Sequence, residues 1–266
     1  QQIPSYTNLI RNAFIADEGR LLASLDFSSQ ELRILAHISG DELMLKIFTE
    51  GGDAHSTTAV TIWNNKYPDR KTDIETFQRL RKVSDFFRDK DGNLDESKFD
   101  EEHLNKAFEE GIILTKDKEI LLKEAELGLE FEKMRKKAKQ VNFSIVYGTT
   151  EKGLADNLEI SEEEARMYIQ SYMQTYPGVA KWIEETKKIV REQKYVETLL
   201  GRKRRLYPEV ESGQRWLLES AYRMGCNSQI QGSAADMMKK ASLDLQPALK
   251  KYDCHIVLFV HDELIL

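Results

Sequence analysis

The chain has 266 residues, of which 41% are hydrophobic and 32% are charged, and its net charge at pH 7 is −6. This composition is typical of a globular protein with one large or two modest domains, and no apolar stretch approaches membrane-spanning length. The first ten residues lack the basic and apolar regions of a secretory signal. Both cysteines, Cys226 and Cys254, stand outside any metal-ligand spacing, which predicts a reducing, cytoplasmic location and argues against a zinc site.

The acidic charge is concentrated in one segment. Residues 64–130 hold 18 acids and 13 bases, a net of −5, so the rest of the chain is nearly neutral. Two basic clusters, RKKAK (135–139) and GRKRR (201–205), lie in that remainder. Local basic patches can bind phosphates on a nearly neutral protein, so the net charge does not exclude a nucleic-acid partner.

The first half of the chain begins with a predicted strand and continues with helices. LLASLDF (21–27) predicts a buried strand, a helix follows at 29–39, and Asp41 is placed to cap the next helix. A short helix at 55–63 precedes the charged segment, which is helical in parts and has a turn at 89–93.

The second half continues with helices and ends in a strand pair. A helical pattern runs from about Lys118 to Gly148, and Ser161 with Glu164 forms a capping box for a helix that ends at Pro177–Gly178. We then expect a helix at 179–193, a hairpin at 195–208 with Gly201 in its turn, and two helices within 214–246. A buried hairpin closes the chain. Strands at both ends with helices between them predict an α+β fold with a small antiparallel sheet.

Two aspartates stand at the ends of apolar strands. Asp26 ends the first predicted strand, and Asp262 lies in the turn of the closing hairpin. If these strands are neighbours, the two carboxylates could share Mg²⁺, which prefers one or two carboxylates plus substrate phosphates. Two such ions would suit phosphoryl transfer. The alternative is that each aspartate only caps a turn.

Arg135, Lys139, Phe143 and Tyr147 recur at every fourth residue. On a helix they form a slanted stripe roughly 18 Å long, with cations at one end and aromatic rings at the other. This stripe matches a nucleoside triphosphate laid along the helix. An amphipathic helix with its aromatic residues in the core is the alternative.

A second polar stripe contains Arg223, Asn227 and Gln231. Side chains of this type can donate to the acceptors that every base pair presents in the minor groove, and so can test pair geometry without reading sequence. A solvated helix face is the alternative.

Together these segments resemble motifs A, B and C of family-A DNA polymerases, the bacterial DNA polymerase I group. The matching segments are LDFSSQELRILAHISGD, RKKAKQVNFSIVYG and VHDEL, in that order. The resemblance implies an α+β polymerase palm with helical fingers. It divides the chain into a first palm segment with motif A (1–63), a charged insertion (64–130), fingers with motif B (131–208) and a second palm segment with motif C (209–266).

The resemblance also implies roles for individual residues. Asp26 and Asp262 would bind two Mg²⁺ ions with the help of the Phe27 carbonyl, and Glu263 would be a supporting acid. Glu31 would crowd a ribose 2′-hydroxyl. The triphosphate would be held by His55, Arg135 and Lys139, and Lys139 would also be a proton donor to pyrophosphate. Phe143 would lie near the sugar and Tyr147 near the nascent base pair. The residues expected to contact primer–template DNA are Arg223, Asn227, Gln231 and His261.

The sequence departs from the family pattern at a few places. Phe27 replaces a tyrosine in motif A, and Ser29–Gln30 replace Gln–Ile. Within the insertion, DKDGNLDESKFD (89–100) resembles an EF-hand calcium loop, but Leu94 stands where that loop needs glycine and Asp100 replaces the closing glutamate. An ordinary acidic turn is the alternative to calcium binding.

The resemblance implies partners and leaves rival functions open. The partners would be primer–template DNA, a dNTP, and thumb and C-terminal segments supplied in cis or by a second chain, because the resemblance implies that this sequence lacks the thumb. The location would be a bacterial cytoplasm or a virus-infected cell. The rivals are a single-subunit, phage-type RNA polymerase and a catalytically inactive DNA-binding module. Glu31 and the acid after Asp262 favour DNA synthesis.

Overall fold

A computed structural model of the chain describes residues 11–266, without the side chain of Arg11. It is mostly helical, with two small antiparallel sheets. In chain order the elements are β1 (Ser24–Asp26), α1 (Gln30–Ser39), α2 (Glu42–Thr49), α3 (Ala54–Lys66), α4 (Ile74–Phe87), α5 (Glu101–Glu109), α6 (Lys118–Val146), α7 (Glu151–Leu158), α8 (Glu162–Thr175), α9 (Pro177–Gln193), β2 (Tyr195–Glu197), β3 (Lys203–Arg205), α10 (Tyr207–Glu211), α11 (Arg215–Leu249), β4 (Leu258–Val260) and β5 (Glu263–Ile265). None of the described helices is long and apolar enough to cross a membrane.

Side-chain caps set the starts of several helices. Asp41 accepts a hydrogen bond from the Met44 amide at 3.0 Å, which confirms the predicted start of α2. The Ser161 hydroxyl accepts from the Glu164 amide at 3.1 Å, as expected for α8. The other half of the predicted capping box does not form among the described bonds. The Glu164 carboxylate instead pairs with Lys66 and accepts from the Tyr168 hydroxyl.

The prediction of two helices within 214–246 is wrong, because α11 is a single helix from Arg215 to Leu249. Two glycines within α11 allow close packing of a neighbouring element and do not end the helix. A Cβ at Gly225 would lie 2.6 Å from the Val190 side chain, and one at Gly232 would lie 2.8 Å from that of Thr198. Close approach of a neighbouring element therefore explains these glycines within a continuous helix.

The larger sheet joins the two ends of the chain. Its strand order is β1-β5-β4, and both pairings are antiparallel. The prediction that its strands are buried is wrong for the outer two: Leu25 on β1 and Phe259 on β4 are 45% and 46% exposed. Both are register partners of Leu264 on the central strand, which is 3% exposed. Packing therefore covers this face of the sheet at its central strand only.

The described residues separate into two compact units. One contains residues 11–38 and 184–266, and the other contains residues 39–183. In the first unit, β2 and β3 form the predicted hairpin. Gly201, in the turn between them, has a positive φ of 80°. The four segments predicted in the sequence follow the positions of the motifs, whereas these units follow packing. The predicted segment boundaries therefore remain a prediction.

The second unit has an aromatic core between α3, α4 and α6. Phe131 stacks on Phe77 with ring centroids 4.6 Å apart and meets Trp63 edge-on at 4.8 Å. Within the charged segment, a further buried cluster surrounds Phe87 and Phe99, whose rings are 4.3 Å apart. The predicted insertion therefore has a packed apolar interior despite its charged surface.

The loop that resembles an EF-hand forms turns and caps. One Asp89 oxygen accepts from the amides of Asp91 and Asn93, both at 2.9 Å, and Gly92 takes a positive φ of 87°. Asp100 caps α5 by accepting from the His103 amide. Across residues 11–266, no group of three or more His, Cys, Asp and Glu side chains is arranged to hold a metal ion. These bonds favour the acidic turn over a calcium site.

Candidate active site

The two predicted metal-binding aspartates come from the sheet of the first unit. Asp26 is the last residue of β1 and is the register partner of Glu263, the first residue of β5. Asp262 lies in the two-residue turn between β4 and β5, and its carbonyl accepts from the Phe27 amide at 3.0 Å. Backbone pairing thus brings Asp26, Asp262 and Glu263 to one end of the sheet.

The carboxylates at this sheet end repel one another. The pKa of Asp26 is raised by partial desolvation, and then by the charges of Asp262 and Glu263. Glu263 has a partner, because the Ser24 hydroxyl donates to it. A cation would relieve the remaining repulsion, and carboxylate oxygens are the ligands that Mg²⁺ prefers. These carboxylates therefore have the chemistry that suits a divalent ion, while no group of three or more His, Cys, Asp and Glu side chains is arranged to hold one within residues 11–266.

Two further predicted residues flank this sheet end in sequence. Glu31 lies in the first turn of α1, and its side chain is half-buried. His261 is exposed in the turn beside Asp262 and has a positive φ of 55°. A left-handed backbone at a non-glycine residue is uncommon and is concentrated at turns and functional sites.

The polar stripe of α11 belongs to the same unit. Arg223 and Asn227 are half-buried, and Gln231 is exposed. The Oδ1 atom of Asn227 is buried and has no hydrogen-bond partner among the described residues. Because this oxygen is shielded from solvent, Asn227 does not lie on a fully solvated helix face.

The second unit contains the residues predicted to hold the nucleotide. Arg135, Lys139 and Phe143 lie on α6, and Tyr147 caps its C-terminus. Lys139 Nζ is 5.9 Å from the Phe143 ring centroid, and Tyr147 is 40% exposed. The sequence pattern thus correctly predicted one helix for these four residues, and their binding of a nucleotide stays a prediction.

His55 joins this stripe from the start of α3. Its ring centroid is 5.9 Å from that of Phe143, and its Nδ1 lies 2.8 Å from the Asn142 amide nitrogen. Burial lowers the pKa of His55 to about 4, helped by the positive charges of Arg135 and Lys139 and opposed by Asp53. His55 is therefore neutral at pH 7.

Asp53 binds both His55 and Arg135. It caps α3 by accepting from the His55 amide at 3.0 Å, and it accepts from Arg135 Nε at 2.8 Å. Burial alone would raise the pKa of Asp53, but the hydrogen bonds from Arg135, Ser56 and the His55 amide lower it to about 2. Asp53 is therefore ionised and paired.

Sequence reasoning missed Asp53 and Asn142. Asp53 stands directly before a helix, two residues ahead of His55. Aspartate is a frequent cap at such a position, and this was the signal that could have identified it. Asn142 gave no signal beyond a polar residue on the buried side of α6. Their contacts link residues 82 and 87 positions apart, which a local pattern does not show.

Comparisons with known proteins cover nearly the whole chain. The sequence model of DNA polymerase family A matches residues 1–81 and 99–266, so residues 82–98 of the charged segment are unmatched. The thermostable DNA polymerase I of Thermus aquaticus is 36% identical over 269 residues, an alignment that covers 100% of this chain and 25% of that protein. DNA polymerase I of Streptococcus pneumoniae (strain ATCC BAA-255 / R6) is 34% identical over 261 residues, covering 97% and 23%.

A solved structure shows the same fold. The POL domain of Pol1 from M. smegmatis, in complex with DNA primer-template and dNTP, has a TM-score of 0.66 and 28% identity. The match covers 96% of this chain and 35% of that one. The chain thus spans about a quarter of the length of the curated relatives it matches. Because the family match includes nearly all of the chain, with the carboxylates of the sheet and the stripe of α6, the chain belongs to DNA polymerase family A.

Proposed function

We propose that this chain carries active-site residues for template-directed DNA synthesis, in which a deoxynucleotide is transferred from a dNTP to a primer 3′-hydroxyl. The observation that carries the proposal is the pairing of β1 with β5, which sets Asp26 beside the Asp262 turn. Membership of DNA polymerase family A supports the same reaction.

The acidic sheet end is proposed to bind Mg²⁺, as two ions. Asp26, Asp262 and the Phe27 carbonyl would hold the metal, and Glu263 would support them. When bound, such ions stabilise negative charge on the attacking and leaving oxygens of a phosphoryl transfer. The raised pKa of Asp26, caused by desolvation and by its acidic neighbours, supports this assignment because a cation would lower the repulsion.

The α6 stripe is proposed to bind the incoming nucleotide. Arg135, Lys139 and His55 would hold the triphosphate, Phe143 would contact the sugar and Tyr147 the nascent base pair. In the reaction, the primer 3′-hydroxyl gives up its proton to solvent as its oxygen bonds to the α-phosphorus, and the bond from that phosphorus to the bridging oxygen breaks. Pyrophosphate leaves, and Lys139 would protonate it. Glu31 would crowd the 2′ position of the sugar.

The α11 stripe is proposed to contact primer–template DNA. Arg223, Asn227 and Gln231 would face the duplex, with His261 near the primer. The spacing of these residues on one face of α11, with Gln231 exposed, supports this role.

Primer extension by the full-length protein tests the proposal. We expect Mg²⁺-dependent, template-directed incorporation of dNTPs, abolished by EDTA, with ribonucleotides used much less efficiently. Preferential ribonucleotide incorporation would instead indicate a phage-type RNA polymerase. Binding of primer–template without metal-dependent extension would indicate an inactive DNA-binding module. Either result would overturn the proposed function.

A further inference from the structure

Two side-chain hydrogen bonds connect α3 to α6 beside the proposed triphosphate site. Arg135 Nε donates to Asp53 Oδ2 at 2.8 Å, and Asn142 Nδ2 donates to His55 Nδ1 at 2.8 Å. Each bond joins a residue proposed to hold phosphates with a residue that has no assigned role. The partners Asp53 and Asn142 therefore control how the two phosphate-binding side chains are oriented.

The Asp53 carboxylate is held by hydrogen bonds from the start of α3 as well as by Arg135. One carboxylate oxygen accepts from the His55 amide at 3.0 Å, and the other accepts from the Ser56 hydroxyl at 2.6 Å. The ion pair with Arg135 is partly shielded, with 26% and 29% of the two side chains exposed. A carboxylate anchored by the start of a helix is a more rigid partner than a flexible surface acid.

The bond to Asp53 occupies only one edge of the Arg135 guanidinium. Nε is used, and the two terminal nitrogens make no hydrogen bond within residues 11–266. A guanidinium held in this way presents a planar pair of N–H donors that matches two phosphate oxygens. A lysine has no second edge by which it could be held while it binds phosphate.

The described hydrogen bond of the Asn142 side chain is the one that it donates to His55. It is fully buried, and its Oδ1 atom has no hydrogen-bond partner in the stretch of chain that the structure describes. An amide with an unpaired oxygen is a poor choice for stability alone, because burying that oxygen costs free energy. The donated bond to His55 is thus the interaction that explains an asparagine at this position.

The same bond selects one tautomer of His55. A neutral imidazole has one donor and one acceptor nitrogen, so accepting at Nδ1 leaves the proton on Nε2. Burial, together with the charges of Arg135 and Lys139, keeps the ring neutral although Asp53 opposes this. His55 therefore has an Nε2–H donor available for a ligand.

We propose that Asp53 and Asn142 are positioning residues of the nucleotide site. Asp53 holds Arg135 by its Nε edge so that the terminal nitrogens can bind phosphate, and Asn142 holds His55 as the Nε2–H tautomer. This inference rests on the proposed function, in which Arg135 and His55 bind the triphosphate of a dNTP. It adds two residues that act through others and that contact no substrate themselves.

Single-nucleotide insertion by the full-length protein tests the role of Asp53. Asp53→Asn keeps a capping oxygen and the side-chain shape but removes the charge that holds Arg135. The matched control is Asp73→Asn, because Asp73 also caps a helix of the same unit, through the Thr76 amide at 2.7 Å, and has no ion pair among the described residues. Both variants should fold, since asparagine is as good a cap as aspartate.

We expect Asp53→Asn to raise KM for dNTP about tenfold while kcat changes less than about threefold, the pattern of weakened substrate binding. Asp73→Asn should leave both constants unchanged. Equal KM values for wild type and Asp53→Asn would overturn the positioning role and leave the proposed function intact. A wild-type protein that inserts no nucleotide would overturn the proposed function and this inference with it.

The tautomer of His55 is tested without any measurement of activity. Nitrogen NMR of the histidine-labelled full-length protein, with His55 assigned by His55→Gln, distinguishes an Nε2–H from an Nδ1–H ring. We expect Nε2–H in the wild type and a mixture of tautomers in Asn142→Leu, which lacks the donor. An Nδ1–H ring in the wild type would overturn the role of Asn142, and the wild-type spectrum decides this even if Asn142→Leu does not fold.

Discussion

Asp26 and Glu263 are register partners, facing each other across β1 and β5 at the end of the sheet that carries Asp262. Two segments 237 residues apart in sequence thereby bring carboxylates together in one compact unit. Like charges so placed are unfavourable without a compensating cation, so this arrangement is the basis of the proposed metal-dependent reaction.

The first prediction concerns stability at acid pH. The pKa of His55 is lowered by burial from 6.5 to about 4, so the unfolded chain takes up a proton that the folded unit resists. Stability of the 39–183 unit should therefore fall as the pH drops from 6.5 towards 4. The pKa of Asp53, lowered from 3.8 to about 2 by its hydrogen bonds despite burial, should cause a further loss below pH 3.8.

Urea unfolding of the wild type and of His55→Gln, at pH 7 and pH 4.5, measures this effect. Glutamine does not titrate, so the stability of the variant should depend less on pH over this range. The same dependence in both proteins would rule out His55 as the source.

The second prediction concerns the packing of α4 against α6. A Cβ on Gly128 would lie 2.1 Å from the Leu80 carbonyl oxygen, and backbone atoms there cannot move aside cheaply. Alanine usually stabilises a helix relative to glycine, but Gly128→Ala should destabilise this protein by about 1–3 kcal/mol because the two helices must separate.

Thermal unfolding of Gly128→Ala and of Glu126→Ala tests this packing. Glu126 is exposed on the same helix, so its replacement should change stability by less than about 0.5 kcal/mol. A Gly128→Ala protein as stable as the wild type would contradict the close approach of α4.

The third prediction concerns sugar selection. Glu31, half-buried in the first turn of α1, is proposed to crowd the 2′ position of the bound sugar. Glu31→Ala should therefore increase ribonucleotide incorporation relative to deoxyribonucleotide incorporation. Competition between the two substrates gives this ratio directly, with Glu42→Ala as a control in the first turn of α2. An unchanged ratio would remove Glu31 from sugar selection.

Much of the fold could be predicted because its signals are local. Asp41 and Ser161 marked helix starts, and Gly201 marked a hairpin turn, since each satisfies or redirects the backbone within a few residues. The extent of burial could not be predicted in this way. Leu25 and Phe259 are apolar but exposed, because they occupy the outer strands of a three-stranded sheet.

The candidate site likewise contains residues that could be predicted from local sequence patterns and residues that could not. Asp26, Asp262 and the α6 stripe were visible in the sequence because charged residues interrupt apolar strands or recur with helical spacing. Asp53 and Asn142 were not, because their significance lies in contacts with Arg135 and His55 on another helix. Only the folded structure shows which polar residues support others.

The most direct test of the central claim is single-turnover primer extension by full-length Asp26→Asn and Asp262→Asn, with primer–template affinity measured in parallel. We expect a loss of extension rate of at least about 100-fold in each variant, with DNA affinity little changed, because these carboxylates are proposed to act on metal at the reacting phosphate and not on duplex binding. Asp244→Ala is the control, since Asp244 is an exposed acid paired with Lys240 on α11, and it should extend like the wild type. Wild-type extension by either variant would contradict the assignment of Asp26 and Asp262 to metal binding.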